Sequence, residues 1–122
     1  MRSILSRVFA WLMASAAIVL TVVPPGSRPL TGLPHATEHF SFFFLCGLAF
    51  AAGYPRRELA LATIAVAFAA SLETLQVWIP GRHARLIDFL VDACAMLAGI
   101  AIASVLRRAH AAGAAPDQHQ IP

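Results

Sequence analysis

The chain has 122 residues, of which 59% are hydrophobic and only 12% charged, against roughly a quarter charged in ordinary globular domains. So little charge cannot cover a water-soluble fold of this size, and the bilayer is the expected solvent. Nine arginines and no lysine give a net charge of +3. The arginines lie singly or in pairs between apolar runs, which marks membrane topology and argues against a nucleic-acid-binding patch.

The first apolar run, Val8 to Val23, follows Arg2 and Arg7 and stops at Pro24-Pro25-Gly26. Its basic start and apolar middle are those of a signal peptide. No small-x-small cleavage site precedes a polar mature domain, however, and further apolar runs follow. The run is read as an uncleaved first helix over residues 5–23. Phe40 to Tyr54 is free of charge and opens on Phe42, Phe43 and Phe44. Extending it back to Thr37 gives the ~20 residues a helix needs to cross a bilayer, so the second helix is placed at 37–54. The third, 56–79, becomes a full span only by taking in Glu73, Gln76 and Trp78, and Pro80-Gly81 ends it. The fourth, 86–106, carries Asp88 and Asp92 in its first third and stops at Arg107-Arg108.

The expected fold is therefore all-α, a polytopic bundle of four transmembrane helices within residues 1–108. Residues 109–122, rich in Ala, Gly, Pro and Gln, are expected to form a disordered tail. Cys46 and Cys94 fall inside apolar runs and read as small packing residues. Alternation of four spans fixes the topology. With a cytoplasmic N-terminus, Arg2, Arg7, Arg56, Arg57, Arg107 and Arg108 lie inside, while Arg28, Arg82 and Arg85 lie outside. Six against three satisfies the positive-inside rule. Both termini are thus expected on the cytoplasmic side of a bacterial inner membrane. Trp78 then suits the outer interfacial belt and Trp11 the inner one.

The same orientation gathers the ionisable residues. His39 lies about one turn below the outer surface, and Glu73 and Asp92 each lie six residues in from it, about 9 Å at 1.5 Å per residue. Glu73 and Gln76 are three apart, and Asp88 and Asp92 four apart, so each pair shares a helix face. The aspartate face continues as Ala95, Gly99 and Ala103, small residues that permit close helix approach. Arg82 and Arg85 occupy the short outer loop above these acids. An acid inside a span costs roughly 2.5–3.5 kcal/mol on insertion scales, so several in so small a chain need a compensating role. Two readings are open: arginine and histidine neutralise the acids and lock the helices, or the cluster forms an outward-opening site. Glu38, about 100° around the helix from His39, reads as a solvated acid at the helix N-terminus, and His83 reads as a loop residue.

Taken in order, these residues resemble the VanZ-like family of small bacterial membrane proteins. The matching elements are His39-Phe40 opening an aromatic second helix, Glu73-x-x-Gln76, Pro80-Gly81-Arg82, Asp88 six residues past that arginine, and Gly99 in the last helix. Asp92 stands where the family typically has Asn, Ala95 where it often has Gly, and Arg85 where a small hydroxyl residue is usual. His35-Ala36 replaces a common Asp-Lys pair. The resemblance implies a polytopic membrane protein linked to low-level resistance to the glycopeptide teicoplanin.

Two functions fit the cluster. In the first, which is favoured, His39, Glu73, Gln76, Arg82, Arg85, Asp88 and Asp92 bind an envelope lipid, a cell-wall precursor or a glycopeptide-type amphiphile. The arginine forks would hold phosphate or carboxylate. In the second, the protein is a membrane enzyme, a hydrolase or transferase acting on an envelope lipid or glycan headgroup. There Glu73 or Asp88 is the general base, His39 assists, and Arg82 stabilises developing negative charge. His39, Glu73, Asp88 and Asp92 are acceptable metal-ligand types but lack a diagnostic spacing, so neither a metal nor another cofactor is expected. The expected partners are the lipid bilayer and such an envelope lipid or cell-wall precursor, and no nucleic acid.

Overall fold

The computed structural model describes residues 1–27 and 31–114. Within them the chain forms four α-helices: α1 (Arg2–Val22), α2 (His35–Gly53), α3 (Glu58–Val77) and α4 (Leu86–Gly113), with a short 3-10 turn at Pro25–Ser27 and no strand. Each helix is long and apolar enough to cross a membrane, the architecture of a multi-pass membrane protein. Arg28, counted above as an outer charge, and the tail residues 115–122 lie outside the described residues.

The helix ends differ from the hydropathy pattern for local reasons. α2 starts at His35, two residues earlier than expected, because Pro34 fixes a φ of −56° and its carbonyl accepts from the Thr37 and Glu38 amides. α3 starts at Glu58 because Arg56 holds a left-handed φ of 64° that a helix cannot contain. At its far end the Trp78 and Ile79 amides close the last turn, and Gly81, at φ 79°, reverses the chain. α4 runs through Arg107 and Arg108 to Gly113, so residues 109–113 are helical where a tail was expected. Arginine is a good helix former and Ala109, Ala111 and Ala112 propagate the helix, so charge ends the apolar run without ending the helix. At 28 residues α4 is about 42 Å long, which exceeds the ~30 Å hydrocarbon core.

α4 packs most extensively against α2, while α2 also packs on α1, and α3 on α4. α2 and α4 are parallel and cross where Gly47 meets Gly99. A Cβ on Gly99 would sit 2.3 Å from the Phe44 carbonyl oxygen, and one on Gly47 2.3 Å from that of Met96. Backbone therefore lies directly on backbone, the geometry that small residues permit in membranes. Met13, Ala17, Phe43, Cys46, Leu72, Met96 and Ile100 fill the core around this crossing. Cys46 is buried, as its packing reading requires, whereas Cys94 is exposed on the bundle surface. Leu5, Leu12, Leu59, Ile64 and Val105 also face outward, an apolar exterior suited to lipid.

The end of the bundle holding the α1 N-terminus is tied by arginine. Arg7 Nε donates to the Gly53 carbonyl at 2.7 Å, and the guanidinium lies 4.7 Å from the Tyr54 ring centroid. Trp11 Nε1 donates to the Tyr54 hydroxyl at 3.0 Å. Arg107 pairs with Glu58 across α4 and α3.

Gly99→Ala tests the crossing. Its methyl must push α2 away through rigid backbone, an overpacking cost of about 1–3 kcal/mol. Thermal unfolding in detergent should show a clear loss of stability, larger than for Ala103→Gly on the same helix. Equal unfolding midpoints for the parent and Gly99→Ala would contradict the backbone contact.

Candidate functional site

At the opposite end the α1 and α3 C-termini meet the α2 and α4 N-termini. Because α2 and α4 run parallel, their first turns lie side by side. His35 and His39 are four apart on one helix, and Asp88 and Asp92 four apart on the other. The two sets form a ladder. The deeper rung joins His39 Nδ1 to Asp92 Oδ1 at 2.8 Å. The outer rung sets His35 Nε2 3.9 Å from Asp88 Oδ1. The two imidazoles lie 4.1 Å apart, centroid to centroid.

Asp92 is 1% exposed, and a carboxylate so buried requires a partner. With Asp92 ionised, His39 Nδ1 carries the proton and donates it, which leaves Nε2 as an acceptor or base. The carboxylate thus fixes both tautomer and ring orientation.

Glu73, on α3, is also buried. Its Oε2 accepts the Arg85 backbone amide at 3.2 Å. Its other oxygen, Oε1, is buried and has no hydrogen-bond partner among the described residues. Asp88, Asp92 and His39 all lie close enough to act electrostatically on this carboxylate. His39, Glu73 and Asp92, expected at a common depth, do come together, with Asp88 beside them.

Beside them is a cavity of about 380 Å³. α1 contributes Ala17, Leu20 and Thr21, while Thr31 and Leu33 close it from the following loop. α2 supplies Phe42, Phe43 and Leu45 along with Glu38 and His39. Leu72 and Gln76 of α3 and Asp92 of α4 complete the wall. By area most of the wall is apolar, and its polar side chains are Thr21, Thr31, Glu38, His39, Ser41, Gln76 and Asp92. Gln76 is 7% exposed, and among the described residues its amide makes no hydrogen bond.

The arginines stand apart from this cavity. The Arg82 Nη2 donates to the Leu20 carbonyl at 2.7 Å and also to the Val23 carbonyl, closing the C-terminus of α1. Arg85 meets Glu73 only through its backbone amide, and its side chain is exposed. Neither guanidinium lines the cavity. Glu73 and Asp88 stand behind its wall rather than in it. Two site residues were not anticipated. Glu38, read as a solvated acid, is half-buried and lines the cavity. His35, placed outside the second helix, is half-exposed on its first turn and faces Asp88. Its spacing to His39, matching that of Asp88 to Asp92, was the available signal. Among the described residues no cluster of three His, Cys, Asp or Glu side chains is arranged to hold a metal ion.

A family model described as VanZ/LLP1 matches residues 5–107, from the first turn of α1 to Arg107 of α4. The chain belongs to the VanZ-like family. No curated protein and no solved structure matches it significantly. In this VanZ-like protein, all the residues that carried the resemblance, from His39 to Gly99, fall inside the matched span. His39 and Gln76 line the cavity, Glu73 and Asp88 flank it, and Gly99 forms the crossing beneath it.

The 2.8 Å rung makes a graded prediction. His39→Ala strands a buried carboxylate, a loss of about 3–5 kcal/mol for breaking such a pair. Asp92→Asn removes the charge and keeps an acceptor for Nδ1, so its cost should be at most about 1–2 kcal/mol. Detergent unfolding of both variants orders them, and an Asp92→Asn protein less stable than His39→Ala would refute an ionised Asp92.

Proposed function

We propose that this protein binds an amphiphilic molecule of the cell envelope in the cavity between α1, α2 and α3, and through it alters susceptibility to teicoplanin-type glycopeptides. The reading places the chain in the bacterial cytoplasmic membrane with both termini cytoplasmic. The arginine distribution supports that orientation, and it turns the cavity end outward, toward cell-wall precursors and envelope lipids. The observation that carries the proposal is the cavity itself. About 380 Å³ is within the range of small-ligand sites. Its apolar length suits a hydrocarbon chain, and the Gln76 amide suits a polar head. Among the described residues that amide makes no hydrogen bond, so its donors and acceptor stay available to a ligand.

A photoreactive long-chain diazirine alcohol, incubated with the protein in nanodiscs, should label peptides containing Leu20, Phe42 and Leu72. Ser41→Trp, at an exposed position on the cavity lining, should abolish that labelling while leaving the unfolding midpoint near the parent value. Labelling spread evenly over the lipid-facing residues of all four helices would sink the proposal. Expression in a susceptible host should raise the teicoplanin inhibitory concentration, and Gln76→Leu should reverse the rise.

The His39–Asp92 contact favours one second reading, a membrane enzyme. An imidazole fixed through Nδ1 by a buried carboxylate has the form of a general base. This moves the base from Glu73 or Asp88 to His39, with Asp92 as its positioning partner. Such an enzyme would lose about 10²–10⁴-fold in turnover on His39→Gln. A binding protein would keep its effect on susceptibility in that variant as long as the cavity still binds its ligand.

A further inference from the structure

We infer that the cavity selects an amphiphile whose head carries an ammonium group. The inference rests on the amphiphile reading above and specifies the chemistry of its head. The charged residues on the lining are Glu38, His39 and Asp92. His39 is the only one of them that can carry positive charge, and its Nδ1 is already engaged by Asp92. Glu73 and Asp88 add two further carboxylates close behind the wall. Four carboxylates therefore stand in or beside a cavity that no guanidinium among the described residues lines.

The two arginines that the loop could have aimed at an anion are placed otherwise. Arg82 bonds the α1 carbonyls, and Arg85 turns its side chain to the surface. The helix dipoles do not reverse this balance. The N-termini of α2 and α4, which favour anions, share the site with the C-termini of α1 and α3, which favour cations. To first order the four contributions cancel, and the side chains decide the sign.

The remaining lining suits a cation as well. Phe42 and Phe43 both line the cavity, packed edge to face with centroids 5.5 Å apart, and an aromatic ring is a favourable neighbour for an ammonium in a desolvated site. An ammonium head offers three N–H donors and needs acceptors. The Gln76 side-chain carbonyl has no partner among the described residues, and Asp92 retains an oxygen beyond the one that meets His39. A phosphate head would find the Gln76 amino group as a donor, but the surrounding carboxylates would repel its charge.

The test uses the full chain in maltoside micelles and three probes with the same tail: dodecylammonium, dodecyl phosphate and dodecanol. Ligand-induced shifts of the unfolding midpoint report binding, and shifts that persist in Ser41→Trp are subtracted as bulk micelle effects. Dodecylammonium is expected to bind at least tenfold more tightly than the other two, about the worth of one charge-assisted hydrogen bond. Glu38→Gln, a half-buried change that spares the core, should reduce that preference several-fold, and Asp92→Asn should reduce it further. Equal affinity for all three probes, or tighter binding of the phosphate, overturns the ammonium inference and leaves the amphiphile reading standing. No cavity-dependent shift with any probe overturns both.

Discussion

A carboxylate and an imidazole held 2.8 Å apart inside an apolar bundle require two helices to approach more closely than most side chains allow. The Gly47–Gly99 crossing supplies that approach. Asp92 and Gly99 are seven residues apart on α4, and His39 and Gly47 eight apart on α2, so on each helix the charged group and the glycine share a face. The backbone contact sets the distance at which imidazole and carboxylate meet two turns away. Their hydrogen bond in turn opposes any rotation of α2 against α4, because turning either helix would expose Asp92 to hydrocarbon. Each feature would be costly alone. Together they define one register of two parallel helices.

Arginine has two functions in this chain that composition cannot tell apart. The positive-inside pattern treats Arg7, Arg82 and Arg107 as topological charges. In the fold all three also hold helices together: Arg7 through the Gly53 carbonyl, Arg107 through Glu58, and Arg82 through the carbonyls ending α1. A guanidinium suits this work because its planar fork reaches carbonyls that a helix end leaves unbonded. The site itself is then left to carboxylates, imidazole and amide.

The fold was legible because hydropathy over ~20 residues is a strong signal and each break carries proline, glycine or arginine. The shared depth of His39, Glu73 and Asp92 was legible for a related reason: the rise per residue converts sequence offset into depth once the spans are placed. What stayed hidden depended on side-chain direction between elements. Nothing local says that Arg82 turns to α1, or that Gly47 is the partner of Gly99. Glu38 was misread because an angle around one helix does not reveal which neighbour stands beside it. His35 was missed through a two-residue error at the start of α2, where Pro34 begins the helix without contributing to its apolar run.

The cavity follows from how α1 is fastened. Arg7 ties it to α2 at one end, and Arg82 ties it to the α3–α4 connection at the other. Between these points α1 and α3 make little contact, as do α2 and α3. A helix fixed at both ends and spanning a gap leaves a space along its middle and upper length, where Ala17, Leu20 and Thr21 face Leu72 and Gln76. The polar wall of that space has a separate origin, the crossing of α2 and α4, which exposes the flank of the His39–Asp92 pair to it. Because the two constraints are independent, α1 sets the volume of the space while α2 and α4 set the character of its wall. Asp92 belongs to the wall: exchange for Asn, a residue of nearly the same size, would alter the charge of the wall and leave the volume as it is.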